Sequence, residues 1–196
     1  MLLFLGHTGS GKSTTINALT GSKLPVSDSL EPCTSEVLTA HGTIHEHSIE
    51  CIDTPGFGDR THSDVEVLRM VEHRLMDDFN ERKRVHAIFY TINLDVGKID
   101  RSIATDLEVF FGLVGIGGDT DDVWKNVCFI FTHGEDPASG TGKGRRRKLE
   151  VQEKRKSEWA ERLSPAIDRG AQIHHVILGD EEETEEFNED GMQTHP

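Results

Sequence analysis

Eight residues near the start of the chain combine glycine, lysine and serine at a spacing suited to phosphate. The segment GHTGSGKS fits the pattern G-x-x-x-x-G-K-[S/T]. Glycines let the backbone wrap closely around a phosphate chain, with its N–H groups turned inward. Lys12 would then reach the outer phosphates, and the Ser13 hydroxyl would bind Mg²⁺. The predicted nucleotide contacts in this loop are Gly6, His7, Thr8, Gly9, Ser10, Gly11, Lys12, Ser13 and Thr14.

A carboxylate that could serve the metal follows in the segment CIDTPGFGD. Asp53 ends an apolar run about forty residues after Lys12, where phosphate-binding-loop proteins place an acidic metal ligand. Gly56 has no side chain, so its N–H could approach a γ-phosphate. Pro and Gly alone would favour only a turn. Together with the phosphate loop, the DTPG segment predicts a nucleotide-dependent switch.

Apolar patterns around these segments alternate between strands and helices, which predicts an α/β fold with a mostly parallel sheet. We expect the three-layer sandwich of P-loop NTPases. The predicted strands are 2–6, 37–44, 47–53, 85–94, 123–134 and 171–179. The predicted helices are 12–21, 63–79 with Ser63 as N-cap, 100–115 and 143–163. On the helix over 63–79, the predicted apolar face is Val65, Leu68, Val71 and Leu75.

Composition restricts the classes of function. The formal net charge of −14 argues against nucleic-acid binding, which requires basic residues that neutralise phosphates. Three widely spaced cysteines favour reduced thiols and a cytoplasmic location. No apolar run is long enough for a transmembrane segment, which leaves peripheral membrane contact open. Residues 180–196 are acidic and poor in apolar side chains, so we expect a disordered tail.

The segments GHTGSGKSTTIN, DTPGF and INLDVGKIDRSIATDLEVFFGLVG together resemble the septin-like branch of P-loop GTPases. That branch contains the immune-associated nucleotide-binding proteins and the GTP-dependent import receptors of the chloroplast outer envelope. The resemblance covers Leu2 to Leu178. It implies that residues 1–179 form a G domain that binds GTP or GDP with Mg²⁺. It also implies slow hydrolysis that drives a conformational or assembly switch.

The resemblance further implies a threonine in the first switch that binds the metal and senses the γ-phosphate. Thr34 and Ser35 are the two candidates, and we favour Thr34. The expected metal ligands are then Ser13, Thr34 and Asp53. The expected catalytic groups are Lys12, Thr34 and Gly56. No convincing helix follows the last predicted strand, where such domains usually end with one.

Guanine recognition in the resembling proteins uses a carboxylate in the motif [NT]KxD, but this chain has THGEDP. Aligning Thr132 with the first motif position places Glu135 in the carboxylate position. Aligning His133 there places Asp136 instead, and we prefer this register because it keeps an aspartate. In either register His133 would lie near the base. Gly179 is the candidate for a further backbone contact.

Hydrolysis needs a group that positions water, and here Phe57 follows the DTPG glycine. Its side chain forms no hydrogen bond, so we expect slow turnover, with Arg60 or His62 as possible helpers in cis or across a dimer. The resemblance implies a nucleotide-dependent homodimer or a hetero-partner. The alternatives are a P-loop ATPase or kinase, and a nucleotide-bound scaffold without hydrolysis.

Overall fold

The computed structural model describes residues 1–26, 34–58, 61–81, 83–95, 103, 107, 110–112, 121–133 and 143–176. Within them the strands are β1 (Leu2–Gly6), β2 (Leu38–Ile44), β3 (His47–Asp53), β4 (Ala87–Asn93), β5 (Val127–Thr132) and β6 (Gln172–His175). The helices are α1 (Lys12–Thr20), α2 (Asp64–Asn80), α3 (Asp121–Trp124) and α4 (Lys143–Asp168). Positions 103, 107 and 110–112 are also helical.

The six strands form one sheet in the order β2-β3-β1-β4-β5-β6. β2 is antiparallel to β3, and every other pairing is parallel. The carboxyl ends of the parallel strands therefore meet at one edge of the sheet, which is where open α/β sheets bind ligands. Gly6, Asp53, Asn93 and Thr132 end four neighbouring strands at this edge. The predicted α/β class and mostly parallel sheet are confirmed.

Apolar side chains on both faces of the central strands produce two cores. Leu3 and Leu5 join the larger core, together with the buried faces of α2 and α4, whereas Phe4 lies in a smaller cluster with Ile16 of α1. This alternation follows from the two-residue period of a strand. Helices on both faces and a sheet between them make the three layers that the sequence predicts.

The capping of α2 matches the prediction. Ser63 Oγ accepts a hydrogen bond from the Glu66 amide at 3.3 Å, and the Ser63 amide donates to Glu66 Oε2 at 2.8 Å. This reciprocal pair satisfies two backbone N–H donors at the first turn of the helix. The helix therefore starts where the Ser-x-x-Glu spacing places it.

Two local predictions were wrong. Val65 was assigned to the buried face of α2 but is 56% exposed, while Val67 is fully buried in its place. Val67 lies one turn before Val71, whereas Val65 falls to the side of that face. Residues 123 and 124 belong to α3 and not to a strand, because a buried helical turn gives the same apolar run as a buried strand.

Across the described ranges, none of the helices combines the length and apolar composition needed to cross a bilayer.

Candidate nucleotide-binding site

The loop between β1 and α1 has a backbone that glycine favours. Gly6, Gly9 and Gly11 have φ angles of 144°, 72° and 86°, which side chains rarely permit. A Cβ on Gly6 would also lie 2.6 Å from the carbonyl oxygen and hydroxyl of Thr91. The G-x-x-x-x-G spacing therefore reflects backbone requirements of this loop, which ends at the N-terminus of α1, where free N–H groups suit an anion.

The side chain of Lys12 folds back onto the loop that precedes it. Its Nζ donates to the carbonyl oxygens of Gly6 at 3.1 Å and His7 at 3.2 Å, and the residue is only 6% exposed. A buried ammonium requires hydrogen bonds or a counter-charge. The two carbonyls fix it over the concave side of the loop, where it can meet phosphate oxygens.

Three oxygen-bearing side chains converge beside Lys12. Asp53 is fully buried, and its Oδ2 accepts a hydrogen bond from Ser13 Oγ at 2.6 Å. Thr34 Oγ1 lies 3.4 Å from both Asp53 Oδ2 and Ser13 Oγ. Asp53 Oδ1 is buried and has no hydrogen-bond partner among the described residues. The structure thus brings together the three residues predicted to hold the metal, whereas Ser35 is exposed and lines a groove with α2.

The electrostatics of Asp53 fit a cation. Burial raises the pKa of its carboxyl, while the Ser13 hydrogen bond and the Lys12 charge oppose that rise. A divalent ion at the unpaired Oδ1 would offset the cost of burying the charge. Mg²⁺ prefers oxygen ligands and is held by one or two carboxylates together with substrate phosphates. The described residues contain no cluster of three His, Cys, Asp or Glu, so this oxygen set suits Mg²⁺ better than zinc.

The DTPG segment is attached directly to the phosphate loop. The Phe57 amide donates to Gly6 O at 3.1 Å, and the Thr8 amide donates to Phe57 O at 3.0 Å. Phe57 is 2% exposed and stacks on Tyr90 with ring centroids 6.4 Å apart. Its aromatic side chain is therefore an anchor in the core. The sequence indicated only that Phe57 cannot position water and did not reveal this backbone bridge.

Gly56 lies against Thr8 with no space for a side chain. A Cβ on Gly56 would be 2.4 Å from both Thr8 N and Thr8 Oγ1. The absence of a side chain is thus required by the contact between the two loops. Gly56 therefore lies directly against Thr8 of the loop between β1 and α1.

The end of β5 forms the other side of the site. Thr132 is 3% exposed, and its Oγ1 donates to Ser10 O at 2.7 Å. His133 adopts a positive φ of 57°, and its Cε1 would lie 3.3 Å from a Cβ on Gly11. Partial burial lowers the pKa of the His133 imidazole, which Asp95 opposes and Lys148 reinforces. A largely neutral imidazole therefore stands beside the phosphate loop.

Some predicted positions lie outside the described residues: Arg60, Glu135, Asp136, Gly179 and the acidic segment 180–196. Three polar residues that support the loop were not predicted from the sequence: Thr91, Asn93 and Gln152. Ser10 Oγ pairs with Thr91 Oγ1 at 2.5 Å, Asn93 Nδ2 donates to Gly9 O at 3.0 Å, and Gln152 contacts the carbonyl of His133. A polar residue inside an apolar strand was the available signal for Thr91, and a polar residue ending that strand was the signal for Asn93.

The family model described as AIG1 family matches residues 1–143. GTP-binding protein A of Dictyostelium discoideum is 26% identical over 132 residues, which are 67% of this chain and 27% of that protein. Translocase of chloroplast 101 of Physcomitrium patens is 28% identical over 136 residues, 67% of this chain and 14% of that protein. The chain thus spans about a quarter or less of the length of these relatives.

Solved structures show the same fold. Toc33 from Arabidopsis thaliana in complex with Mg²⁺ and GMPPNP matches with a TM-score of 0.62 and 21% identity, covering 89% of this chain and 69% of that one. Toc33 in complex with GDP and Mg²⁺ matches with a TM-score of 0.62 and 19% identity, covering 97% and 77%.

Proposed function

The chain belongs to the AIG1 family, which confirms the predicted resemblance, and we propose that it is a G domain that binds GTP and GDP with Mg²⁺. The observation that carries the proposal is the buried, unpartnered Asp53 Oδ1 beside the Ser13 and Thr34 hydroxyls. Such an oxygen is costly to bury unless a ligand meets it. The names of the relatives, a GTP-binding protein among them, support guanine nucleotide as the ligand.

In the proposed complex the backbone N–H groups from Gly9 to Thr14 and the Lys12 ammonium hold the phosphates. Ser13, Thr34 and Asp53 hold Mg²⁺, which would neutralise charge that develops on the phosphates. The Gly56 N–H contacts the γ-phosphate and so ties the DTPG segment to the nucleotide state. His7 and Thr8 shape the loop through their contacts with Phe57 and Gly56.

The base is proposed to lie beside His133, with a carboxylate of the following segment accepting the guanine N–H groups. The sequence favours Asp136 as this carboxylate, with Glu135 as the alternative. Glu135→Gln and Asp136→Asn separate the two registers. At the position that contacts the base, an amide replaces a hydrogen-bond acceptor with a donor. That variant should therefore bind GTP more weakly and XTP more tightly than the wild type, while the other variant should keep its affinity for GTP.

We propose slow hydrolysis coupled to assembly. Phe57 is buried and lacks a hydrogen-bonding group, so a second copy or a hetero-partner would complete the site. In the chloroplast translocon components atToc33 and psToc159, which include a solved structure with the same fold, dimerization is important for the GTPase activity. Sedimentation with GDP and with GMPPNP tests this: a dimer specific to one nucleotide supports it, and a monomer in both at high concentration contradicts it.

A nucleotide-bound scaffold without turnover is the second candidate, and the buried Phe57 favours it. Phosphate release measured over a range of protein concentrations separates the two. Release that rises more than linearly with concentration supports the assembled GTPase. No release at any concentration supports the scaffold.

A reducing compartment such as the cytoplasm is the proposed location. Cys51 and Cys128 are both free, and burial raises the pKa of each thiol to about 11. Protonated thiols exchange slowly with disulfides.

Thermal stabilisation by nucleotide tests the binding proposal. The melting temperature of the protein is measured with Mg²⁺ and GTP, GDP or ATP, for the wild type, Lys12→Ala and the exposed control Lys154→Ala. We expect GTP and GDP to stabilise the wild type and the control but not Lys12→Ala. Equal stabilisation by ATP would point to an ATPase or kinase instead.

A further inference from the structure

A buried glutamine interrupts the charged surface of α4. Gln152 is only 2% exposed, although its neighbours Val151 and Glu153 on the helix are exposed. Its Nε2 donates to the backbone carbonyl of His133 at 3.0 Å and to Asp95 Oδ1 at 2.9 Å. Burying an amide is unfavourable unless its hydrogens are bound. Both hydrogens of this amide are directed at the edge of the sheet that carries the phosphate loop.

The carbonyl that Gln152 holds belongs to a residue in an unusual conformation. His133 has a φ of 57°, a left-handed value that few non-glycine residues adopt. Such conformations persist where surrounding contacts enforce them, and they concentrate at functional sites. The bond from Gln152 fixes the carbonyl, while His133 Nδ1 lies 3.0 Å from Thr132 Oγ1. These two contacts hold His133 in place at the end of β5.

The same glutamine is connected to the phosphate loop through two further residues. The Asp95 amide donates to Asn93 Oδ1 at 2.7 Å, and Asn93 Nδ2 donates to Gly9 O at 3.0 Å. Lys148 Nζ lies 3.4 Å from Asp95 Oδ2, which adds an ion pair from α4. A continuous hydrogen-bonded path therefore links Gly9 to the carbonyl of His133.

We infer that Gln152 is a positioning residue that holds the His133 turn at a fixed place relative to the phosphate loop, and so sets discrimination for the base of the nucleotide. The inference rests on the proposed guanine-nucleotide function, in which the nucleotide reaches from the loop between β1 and α1 to His133. The side chain of Gln152 acts through the His133 backbone and does not touch the nucleotide.

Gln152→Met tests the inference, because methionine has a similar volume but no N–H donor. Val151→Ala, at the exposed neighbouring position, is the matched control. Affinities for GDP and ADP are measured with Mg²⁺. We expect the GDP affinity of Gln152→Met to be roughly tenfold weaker, because the variant loses one hydrogen bond that positions the His133 carbonyl. The affinity for ADP should change much less, because it gains nothing from base discrimination. Both affinities of the control should match those of the wild type. An unchanged GDP-to-ADP ratio in Gln152→Met would overturn the inference.

A measurement without nucleotide separates this inference from the proposed function. The Cε1–H resonance of His133 is recorded by NMR in the nucleotide-free wild type, Gln152→Met and Val151→Ala. A shifted or broadened resonance in Gln152→Met alone supports the positioning role, and identical spectra contradict it. If the wild type binds no GDP, the proposed function fails and this spectrum still decides the inference. If Gln152→Met does not fold, Gln152→Leu takes its place: a shifted or broadened resonance supports the positioning role, and a spectrum identical to the wild type contradicts it.

Discussion

Gly56→Ala probes the contact between the DTPG segment and the phosphate loop. The added methyl group would lie 2.4 Å from Thr8 N and Thr8 Oγ1 and 2.5 Å from Thr8 Cα. The hydroxyl could rotate away, but the backbone atoms are fixed by the bond from the Thr8 amide to Phe57 O at 3.0 Å. The substitution must therefore separate the two loops and weaken that bridge.

The size of the effect follows from these distances. Overpacking of this kind costs about 1–3 kcal/mol. For a domain of this length that corresponds to a melting temperature roughly 2–12 °C lower. The Gly56 N–H would also move away from the γ-phosphate, so we expect GTP affinity to fall about tenfold relative to GDP affinity.

The assay combines urea unfolding of the nucleotide-free protein with equilibrium binding of GTP and GDP. Gly112→Ala is the matched control, because Gly112 is helical and exposed and a Cβ there would contact nothing within 4 Å. The control should be about 0.5–1 kcal/mol more stable than the wild type. If Gly56→Ala were as stable as the wild type and kept its GTP-to-GDP ratio, the reasoning about this contact would be refuted.

Three further substitutions or treatments have expected outcomes. Burial raises the Asp53 pKa, so the free energy of unfolding of the metal-free protein should fall as pH rises through that pKa. Asp53→Asn should abolish this fall, as unfolding curves at several pH values will show. The same variant should abolish the Mg²⁺ dependence of nucleotide binding, which binding titrations measure. Ser63→Ala removes the cap of α2 and should cost about 1 kcal/mol in urea unfolding. Because burial raises the thiol pKa of Cys51 and Cys128 to about 11, iodoacetamide should label both slowly at neutral pH and faster on denaturation, as mass spectrometry can follow.

Local patterns in the sequence predicted the parts of the fold that local physics determines. The strand at Leu2–Gly6 and the start of α2 after Ser63 follow from a short apolar run and a capping box. Val65 was misplaced because helical spacing alone does not say which of two neighbouring faces the sheet covers. The structure shows that Val67 is the residue buried.

The candidate site, too, could be predicted only in part from the sequence. Glycine and lysine spacing indicated the loop between β1 and α1 as the candidate phosphate-binding loop, and Asp53 could be placed because a strand ends there. The supports of that loop could not be predicted, since they join distant parts of the chain: Asn93 and Gly9 are 84 residues apart. Gln152 lies within a helix whose charge pattern gave no sign that one of its polar side chains is buried.

Direct titration of the nucleotide-free protein with GTP tests the central claim. In the presence of Mg²⁺ we predict one GTP bound per chain, competition by GDP, much weaker competition by ATP, and loss of binding in Lys12→Ala with retention in Lys154→Ala. Removing Mg²⁺ should weaken wild-type binding and leave Asp53→Asn unchanged. A folded wild-type protein that binds no GTP under these conditions would contradict the account.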